Sequence, residues 1–546
     1  MSQRGMYTAD FETNTHSYDV SVWAYAICDI KNVENVVYGN CIDNFMKWCE
    51  DNVKSTVFFH NLKFDGEFII SWLLTNGFKW EKKLKHKRCF STLIDFTGTF
   101  YSIRIKFDSK EYIEILDSLK KLPMPVKKIA TSFNLPILKG EIDYNLHRGK
   151  GHVMSDVEKA YIKNDVQIVA MALKQQIDQG YTHMTNASDA LHYYKGITKN
   201  FDYWFPKLDD YQDAFIRKSY KGGWTYLKKP CEIGKGIVLD VNSLYPFSMY
   251  DTLLPYGKPI YFQGEYSQDD NFPLFVQRFA CQFKLKEKHL PMIQLKNNLR
   301  YNPVQYLKES QQQELLTLTS IDLKLFFDHY EVWDIEWFDG YKFRGRKGMF
   351  KNYIDFFYAQ KATSKGGKRQ IAKLMQNSLY GKFGSAVTGR SKKPYLDENG
   401  VVKYETMDEE QRAPVYIPVA SFITAYARNK TIRSAQKVYD RFIYADTDSL
   451  HLTGLEYPED LEIHDTKLGA WAHESTFIRA KFIKPKTYIE DNGDFLDVKA
   501  CGMPDNIKKN EVTYDNFKIG FKSNNKLQPK RLKGGVLLTN VPFQIK

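Results

Sequence analysis

No two of the seven cysteines in this chain, at positions 28, 41, 49, 89, 231, 281 and 501, form a Cys-x-x-Cys pair. A zinc ribbon and a dithiol redox motif both need that spacing, so both are excluded. An odd number of thiols in so large a protein points to free cysteines in a reducing compartment. No apolar run approaches the roughly 20 residues of a transmembrane helix, so no membrane span is expected. The opening Met1-Ser2-Gln3-Arg4-Gly5 leads straight into a strand-like segment, and no secretory leader is expected. Acidic residues are the minority: 65 Asp and Glu stand against 78 Lys and Arg, a formal charge of +13. Such a surface favours a polyanion, either nucleic acid or an anionic membrane.

What is present is length, aromatics and clustered carboxylates. At 546 residues the chain exceeds one hydrophobic core, so two or more domains are expected. Its 36 Tyr and 37 Phe can fill cores or stack on unpaired bases. The most informative stretch is Tyr444-Ala445-Asp446-Thr447-Asp448-Ser449, flanked by apolar residues. In an extended segment Asp446 and Asp448 project from one side. Two carboxylates that close raise each other's pKa, and a hard divalent cation removes the conflict. A solvated turn between two strands is the alternative.

Similar pairs recur near the N-terminus. Met6 to Thr13 reads as a strand with Asp10 and Glu12 on one side. His60-Asn61-Leu62-Lys63-Phe64-Asp65-Gly66 follows the apolar Val57-Phe58-Phe59. Tyr161-Ile162-Lys163-Asn164-Asp165 lies in a segment of helical apolar spacing, so Tyr161 and Asp165 share a face. Singly each reads as surface charge; gathered by a fold, the four carboxylates make a two-metal site.

Further along, the apolar Gly236-Ile237-Val238-Leu239 delivers Asp240, and the chain then turns through Val241-Asn242-Ser243-Leu244-Tyr245-Pro246. Arg369, Lys373 and Asn377 form one stripe of a helix expected to close at Gly381, with Tyr380 on the next stripe. A solvated face is the ordinary reading of such a stripe. The glycines of Tyr220-Lys221-Gly222-Gly223 allow close backbone approach or a plain turn. Lys486 and Tyr488 share a strand face. A basic run from Lys518 to Lys533 leads into the strand-like Gly535-Val536-Leu537-Leu538.

In this order, these stretches resemble the motifs of family B DNA polymerases. The resemblance implies an α+β multidomain protein: an RNase H-like 3′–5′ exonuclease domain over 1–180, then a right-hand polymerase over 181–546. Within the latter it implies palm over 181–251 and 418–517, fingers over 350–383 and thumb over 518–546. In the exonuclease, Asp10, Glu12, Asp65 and Asp165 would hold two metal ions. Tyr161 would orient the attacking water and Lys139 would steady the scissile phosphate. Thr13, His60, Asn61, Phe64, Ser118 and Leu119 would hold the single strand. In the polymerase, Asp240, Val241 and Asp448 would hold the metals, with Asp446 beside them at the primer end. Ser243 and Leu244 would cradle the triphosphate, and Tyr245 would lie under the sugar. Lys361, Arg369, Lys373, Asn377, Tyr380 and Lys486 would complete the nucleotide site. Tyr220, Gly222, Gly223, Thr424, Arg428 and Tyr488 would contact DNA. Implied cofactors are two Mg²⁺ per site, with Mn²⁺ as the substitute. Implied partners are primer–template, single-stranded 3′ ends and deoxynucleoside triphosphates.

Within the family, the chain is most similar to the protein-primed polymerases of small tailed phages with linear genomes. It is short, lacks a cysteine-rich C-terminus, and has long sequence between its polymerase motifs. The resemblance places two subclass insertions at 252–349 and 384–417, a terminal protein as primer and partner, processive strand displacement, and the host cytoplasm as the site of action. Departures are Ala445 for a common Cys, Gly384 for Ala and Arg369 for Lys; none removes an expected metal ligand. The competing readings are an RNA-primed family B polymerase, a nuclease alone, and a DNA-binding protein without synthesis.

Overall fold

The computed structural model describes residues 4–14, 16, 18–143, 146–295 and 306–546. The first three residues, where no leader was expected, and 296–305 of the first expected insertion lie outside the described residues. Strand Gly5–Thr13 lies inside an eight-stranded mixed sheet. It pairs antiparallel with Val22–Asp29 and parallel with Ser55–Phe59, which in turn runs parallel to Ile113–Asp117. Helix Ile42–Asp51 provides the crossover that a parallel pair requires. The all-apolar interior of Val22–Asp29 is explained by burial on both faces. Ala24, Ala26 and Cys28 pack toward helix Asp156–Ile177, and Tyr25 and Ile27 toward helix Ile42–Asp51, with Tyr25 edge-on to Phe45. The period-2 alternation thus turns Phe11 into one core and leaves Asp10 and Glu12 for the other side.

The stretch from Gly180 to Phe205, whose mixed polar and aromatic sequence reads as a linker, carries helices Asn186–Ile197 and Phe201–Trp204. The packing face of the first is built on Tyr193 and Tyr194, which stack on Phe356 and Phe350. Aromatic rather than aliphatic anchors blurred its helical pattern.

A five-stranded antiparallel sheet follows, in the order Trp471–Phe477, Gly236–Val241, Ser449–Thr453, Phe442–Asp446, Thr225–Leu227. Ile237, Leu239 and Val241 pack with Ala427, Ile432 and Ala435 of helix Ile417–Lys437. Asp240, one residue out of phase, faces the opposite side. Strands Leu254–Gln263, Tyr330–Arg346, Leu274–Leu285 and Glu314–Thr319 form a separate antiparallel sheet, capped by helix Ser320–His329. Helices Lys351–Thr363 and Gly366–Phe383 pack side by side. The second passes the expected stop at Gly381, because Leu379 and Phe383, an i, i+4 pair, are both buried. A hairpin, Lys392–Leu396 with Val402–Thr406, turns where Asp397 accepts the amides of Asn399 and Val401. A four-stranded sheet of Cys231–Ile233, Arg479–Lys484, Thr487–Asp491 and Leu496–Ala500 precedes the last hairpin, Lys522–Leu532 with Gly535–Gln544. Among the described residues no helix is long and apolar enough to cross a membrane.

Candidate functional site

Two acidic centres form, one on each large sheet. In the first, carboxylate oxygens of Asp10, Glu12 and Asp165 lie within 4.8 Å of one another. Strand alternation presents the first two, and helix Asp156–Ile177 brings the third across the sheet. Asp65, in the first turn of helix Leu62–Thr75, is buried beside Asp10. Burial and mutual repulsion hold Asp10 up at about 7 and push Glu12 and Asp65 well above the carboxylate range. Burial also raises Asp165, while Lys139 and the Tyr161 hydroxyl, both bonded to its carboxylate, pull it down. Lys139 Nζ also lies 5.4 Å from the centre of the Tyr161 ring. Asp165 Oδ1 is buried with no hydrogen-bond partner. A hard cation among these oxygens would satisfy that atom and relieve the repulsion, so the donor set fits Mg²⁺ or Mn²⁺.

The residues expected to hold a single strand differ in exposure and in their partners. Thr13 and Phe64 are half-buried and Asn61 is exposed, in the left-handed conformation at φ 70°. His60 is committed at both nitrogens, 3.0 Å from Ser118 Oγ and 2.9 Å from the Met124 carbonyl, so it serves as a brace. Ser118 is fully buried, and its hydroxyl donates to the Phe59 carbonyl. Asp117 was missed by sequence reading. Its carboxylate accepts the amides of Asn61, Leu62 and Leu119, fixing both loops at once. The signal was an acid ending the strand-like Ile113-Glu114-Ile115-Leu116, just before Ser118-Leu119.

In the second centre, Asp240 and Asp448 line a cavity of about 490 Å³ with Asp446, Glu474 and Tyr488. The extended segment expected to carry Asp446 and Asp448 is broken by a turn, although both residues line the same cavity. The strands pair Asp446 with Ser449, so Thr447 and Asp448 form a two-residue turn, with Thr447 at φ 65°. Asp448 faces Asp240, while Asp446 accepts from Thr225 Oγ1 at 2.8 Å and from Lys486 Nζ at 3.1 Å on both oxygens. Burial, then Asp448 and Glu474, push Asp240 up to about 7, and Lys373 opposes them. Burial and the neighbouring Asp446 and Glu474 also raise Asp448. Glu474 was not singled out in the sequence; only its strand's pairing beside Gly236–Val241 brings it here. This crowding of buried oxygen donors also fits a divalent cation.

Around that centre, Ser243, at φ 59°, opens helix Leu244–Tyr250, and Leu244 is buried. The Val241 amide donates to the Asp448 carbonyl at 2.8 Å, tying the two acidic segments together. Tyr245 and Tyr380 stack with centroids 4.1 Å apart and planes 15° apart. Lys373 and Asn377 are exposed on their helix, and Arg369 donates to the Lys361 carbonyl at 2.8 Å. Lys373 and Arg369 both depress the Lys361 ammonium, after burial. Tyr488 is buried and stacked on Phe482.

The DNA contacts expected of Thr424 and Arg428 are not offered by their side chains. Thr424 is buried and donates to its own helix at Ala420. Arg428 is buried, pairs with Asp322 at 2.7 Å, and donates to the Lys221 and Gly222 carbonyls. Helix Ile417–Lys437 turns both residues into the core, and Arg428 thereby holds the Tyr220–Gly223 loop. A Cβ on Gly223 would stand 2.6 Å from the Thr447 side chain, so this glycine also serves close packing on the catalytic hairpin. A Cβ on Gly384 would stand 2.5 Å from the Tyr220 hydroxyl, which accounts for Gly at that position.

Comparison with known proteins agrees with this geometry. The family described as DNA polymerase type B, organellar and viral, matches residues 48–466. The DNA polymerase of Bacillus phage B103 is 47% identical over the whole of both chains. Phi29 DNA polymerase complexed with primer-template DNA and incoming nucleotide substrates superposes with TM-score 0.95 at 46% identity, covering both chains fully. Its complex with single-stranded DNA gives TM-score 0.93 at 45% identity, again over both full chains. The fold is therefore an exonuclease domain joined to palm, fingers and thumb, and the chain belongs to the type B DNA polymerases of viruses, among the phage enzymes of the phi29 kind.

Proposed function

We propose that this polymerase replicates a linear phage genome in the host cytoplasm, starting from a terminal-protein primer. It displaces the non-template strand and removes misincorporated 3′ ends with its own exonuclease. The observation that carries the reading is the coexistence of two acidic centres, Asp240 with Asp448 and Asp10 with Glu12, Asp65 and Asp165, on separate sheets of one chain. The priming assignment is supported by the sheet at 254–346 and the hairpin at 392–406, which fall within the stretches read as insertions.

Asp240, Val241 and Asp448 would hold the polymerase cations, and Asp10, Glu12, Asp65 and Asp165 those of the exonuclease. Bound Mg²⁺ or Mn²⁺ supplies a lowered pKa to an attacking water or hydroxyl and charge neutralisation at the leaving oxygen. The remaining work belongs to the chain. Lys373, with Lys361 and Arg369 beside it, meets a triphosphate from the side facing Asp240, where charge shifts as pyrophosphate departs. The Tyr245–Tyr380 stack gives the sugar a rigid floor on which a 2′-hydroxyl clashes. Lys486, held on Asp446, supports the primer end. In the exonuclease, Tyr161 orients a water beside Asp165, Lys139 steadies the scissile phosphate, and Phe64 stacks on a base of the frayed strand.

The test is extension of a labelled primer facing a downstream duplex, with Mg²⁺, four deoxynucleotides and no helper protein. Full-length product is expected. Products that stop at the duplex would remove strand displacement from the assignment. Covalent transfer of a labelled deoxynucleotide to a purified terminal-protein hydroxyl would test the priming step.

A further inference from the structure

The last hairpin returns to the first domain. Its two-residue turn, Lys533-Gly534, is seated against the loop before strand Val22–Asp29 and helix Leu62–Thr75. Gly534, at φ +94°, lies so close to strand Val22–Asp29's entry that a Cβ would stand 2.9 Å from the Val20 carbonyl. A Cβ on Gly535 would run into the Phe68 ring. The 392–406 hairpin crosses the same surface, with Val401 bridged to Lys533 and Ser391 to Asp95. Val402 and Val536 are buried in one apolar cluster with Phe68 and Phe100. At the point where the three units meet lies Glu67, on helix Leu62–Thr75, its side chain 3% exposed. Arg531 Nε donates to Glu67 Oε1 at 2.7 Å, and the Tyr404 hydroxyl donates to Oε2 at 3.0 Å. The Arg531 guanidinium also lies 4.6 Å over the Tyr404 ring.

We infer that Glu67 is a positioning residue for processive synthesis: with Arg531 and Tyr404 it locks the thumb hairpin and the second insertion onto the exonuclease domain as one gate. The inference rests on the proposed reading, in which duplex product passes through the ring so closed. Glu67 belongs to neither acidic centre's ligand set. If the thumb hairpin lifted alone, Glu67 would stay covered by the second insertion with its cation gone, and a buried unpaired charge is strongly disfavoured. If the insertion lifted alone, the carboxylate would lose the Tyr404 donor and Arg531 its ring. The two elements therefore leave together, and the ring opens as a unit rather than fraying.

The experiment extends primed circular single-stranded DNA with an excess of competitor DNA added at the start, so that each product records one binding event. A wild-type enzyme that makes no product even without competitor would overturn the polymerase reading itself, independently of the junction. With the wild type active, E67Q is expected to shorten single-binding products about fivefold, the effect of losing one modest interaction, and R531Q at least about tenfold, because it leaves Glu67 buried without its cation. The double variant should be no shorter than either single one, because both remove the same contact. R531K should restore length, since it keeps a cation beside Glu67. Extension without competitor, and degradation of a single-stranded oligonucleotide, should keep wild-type rates. Wild-type product lengths from both single variants would overturn the inference. So would parallel losses in all three assays, which a merely structural role would give.

Discussion

Lys486 Nζ stands 3.1 Å from both carboxylate oxygens of Asp446, whereas Asp448, two residues on, faces Asp240. The two aspartates of one motif therefore do different work. Asp448→Asn should abolish synthesis, by about a thousandfold or more, as for loss of a group that stabilises transition-state charge. Exonuclease activity and DNA binding should persist. Asp446→Asn should cost less and should match Lys486→Met, with the double variant no worse than either. Single-turnover primer extension measures all four. An Asp446→Asn enzyme as dead as Asp448→Asn would place both residues on the metal.

The exonuclease centre predicts the reverse separation. Asp10→Ala or Asp165→Ala should eliminate degradation of a single-stranded 3′ end while leaving synthesis intact. Lys139→Met should slow degradation about a hundredfold if, as proposed, its ammonium, which sits on Asp165, steadies the developing phosphate charge. Adding a chelator should stop both activities. A quenched-flow assay on a labelled oligonucleotide, run beside primer extension, separates the two sites.

Much of this was legible in the sequence because local periodicity decides it. Asp10 with Glu12, and Tyr161 with Asp165, fall together from strand and helix spacing alone. Asp446 and Asp448 do not, because a turn between them overrides the alternation of an extended strand. Asp117, Glu474 and Asp322 were missed for another reason. Each acts through a partner far off in the chain, and register and packing between strands, not local pattern, bring them to their sites. The same holds for Thr424 and Arg428, whose side chains are turned inward by a helix buried on most of its faces.

Gly223→Ala should impair synthesis selectively. The added methyl would meet Thr447, the positive-φ residue that sets the catalytic turn, so the hairpin carrying Asp448 must shift. Overpacking of this kind costs about 1–3 kcal/mol. A loss of extension rate of tenfold or more is expected, with the exonuclease unchanged. Thr447→Ser should recover part of it by removing the methyl that collides. If Gly222→Ala, where open space surrounds the position, is equally harmful, backbone approach to a phosphate rather than this contact governs the loop.

Arg428 carries the last prediction. Its guanidinium is 6% exposed and Asp322 2%, and the pair also anchors the Lys221 and Gly222 carbonyls. Arg428→Ala takes the cation from the buried Asp322 carboxylate, which keeps only the Thr319 hydroxyl, and one donor from each of two carbonyls, so a loss of about 3–5 kcal/mol is expected. Arg428→Lys keeps the charge but cannot span four acceptors with one fork. It should recover most of the thermal stability yet leave the Tyr220–Gly223 loop loose. The consequence for function follows from where that loop sits, against the catalytic hairpin: Arg428→Lys should lower extension rate more than melting temperature. Calorimetry paired with primer extension reads the two effects separately. A lysine variant that restores both in full would show that Arg428 contributes only its charge, and that the geometry of the loop is set by Gly223 and Thr447 alone.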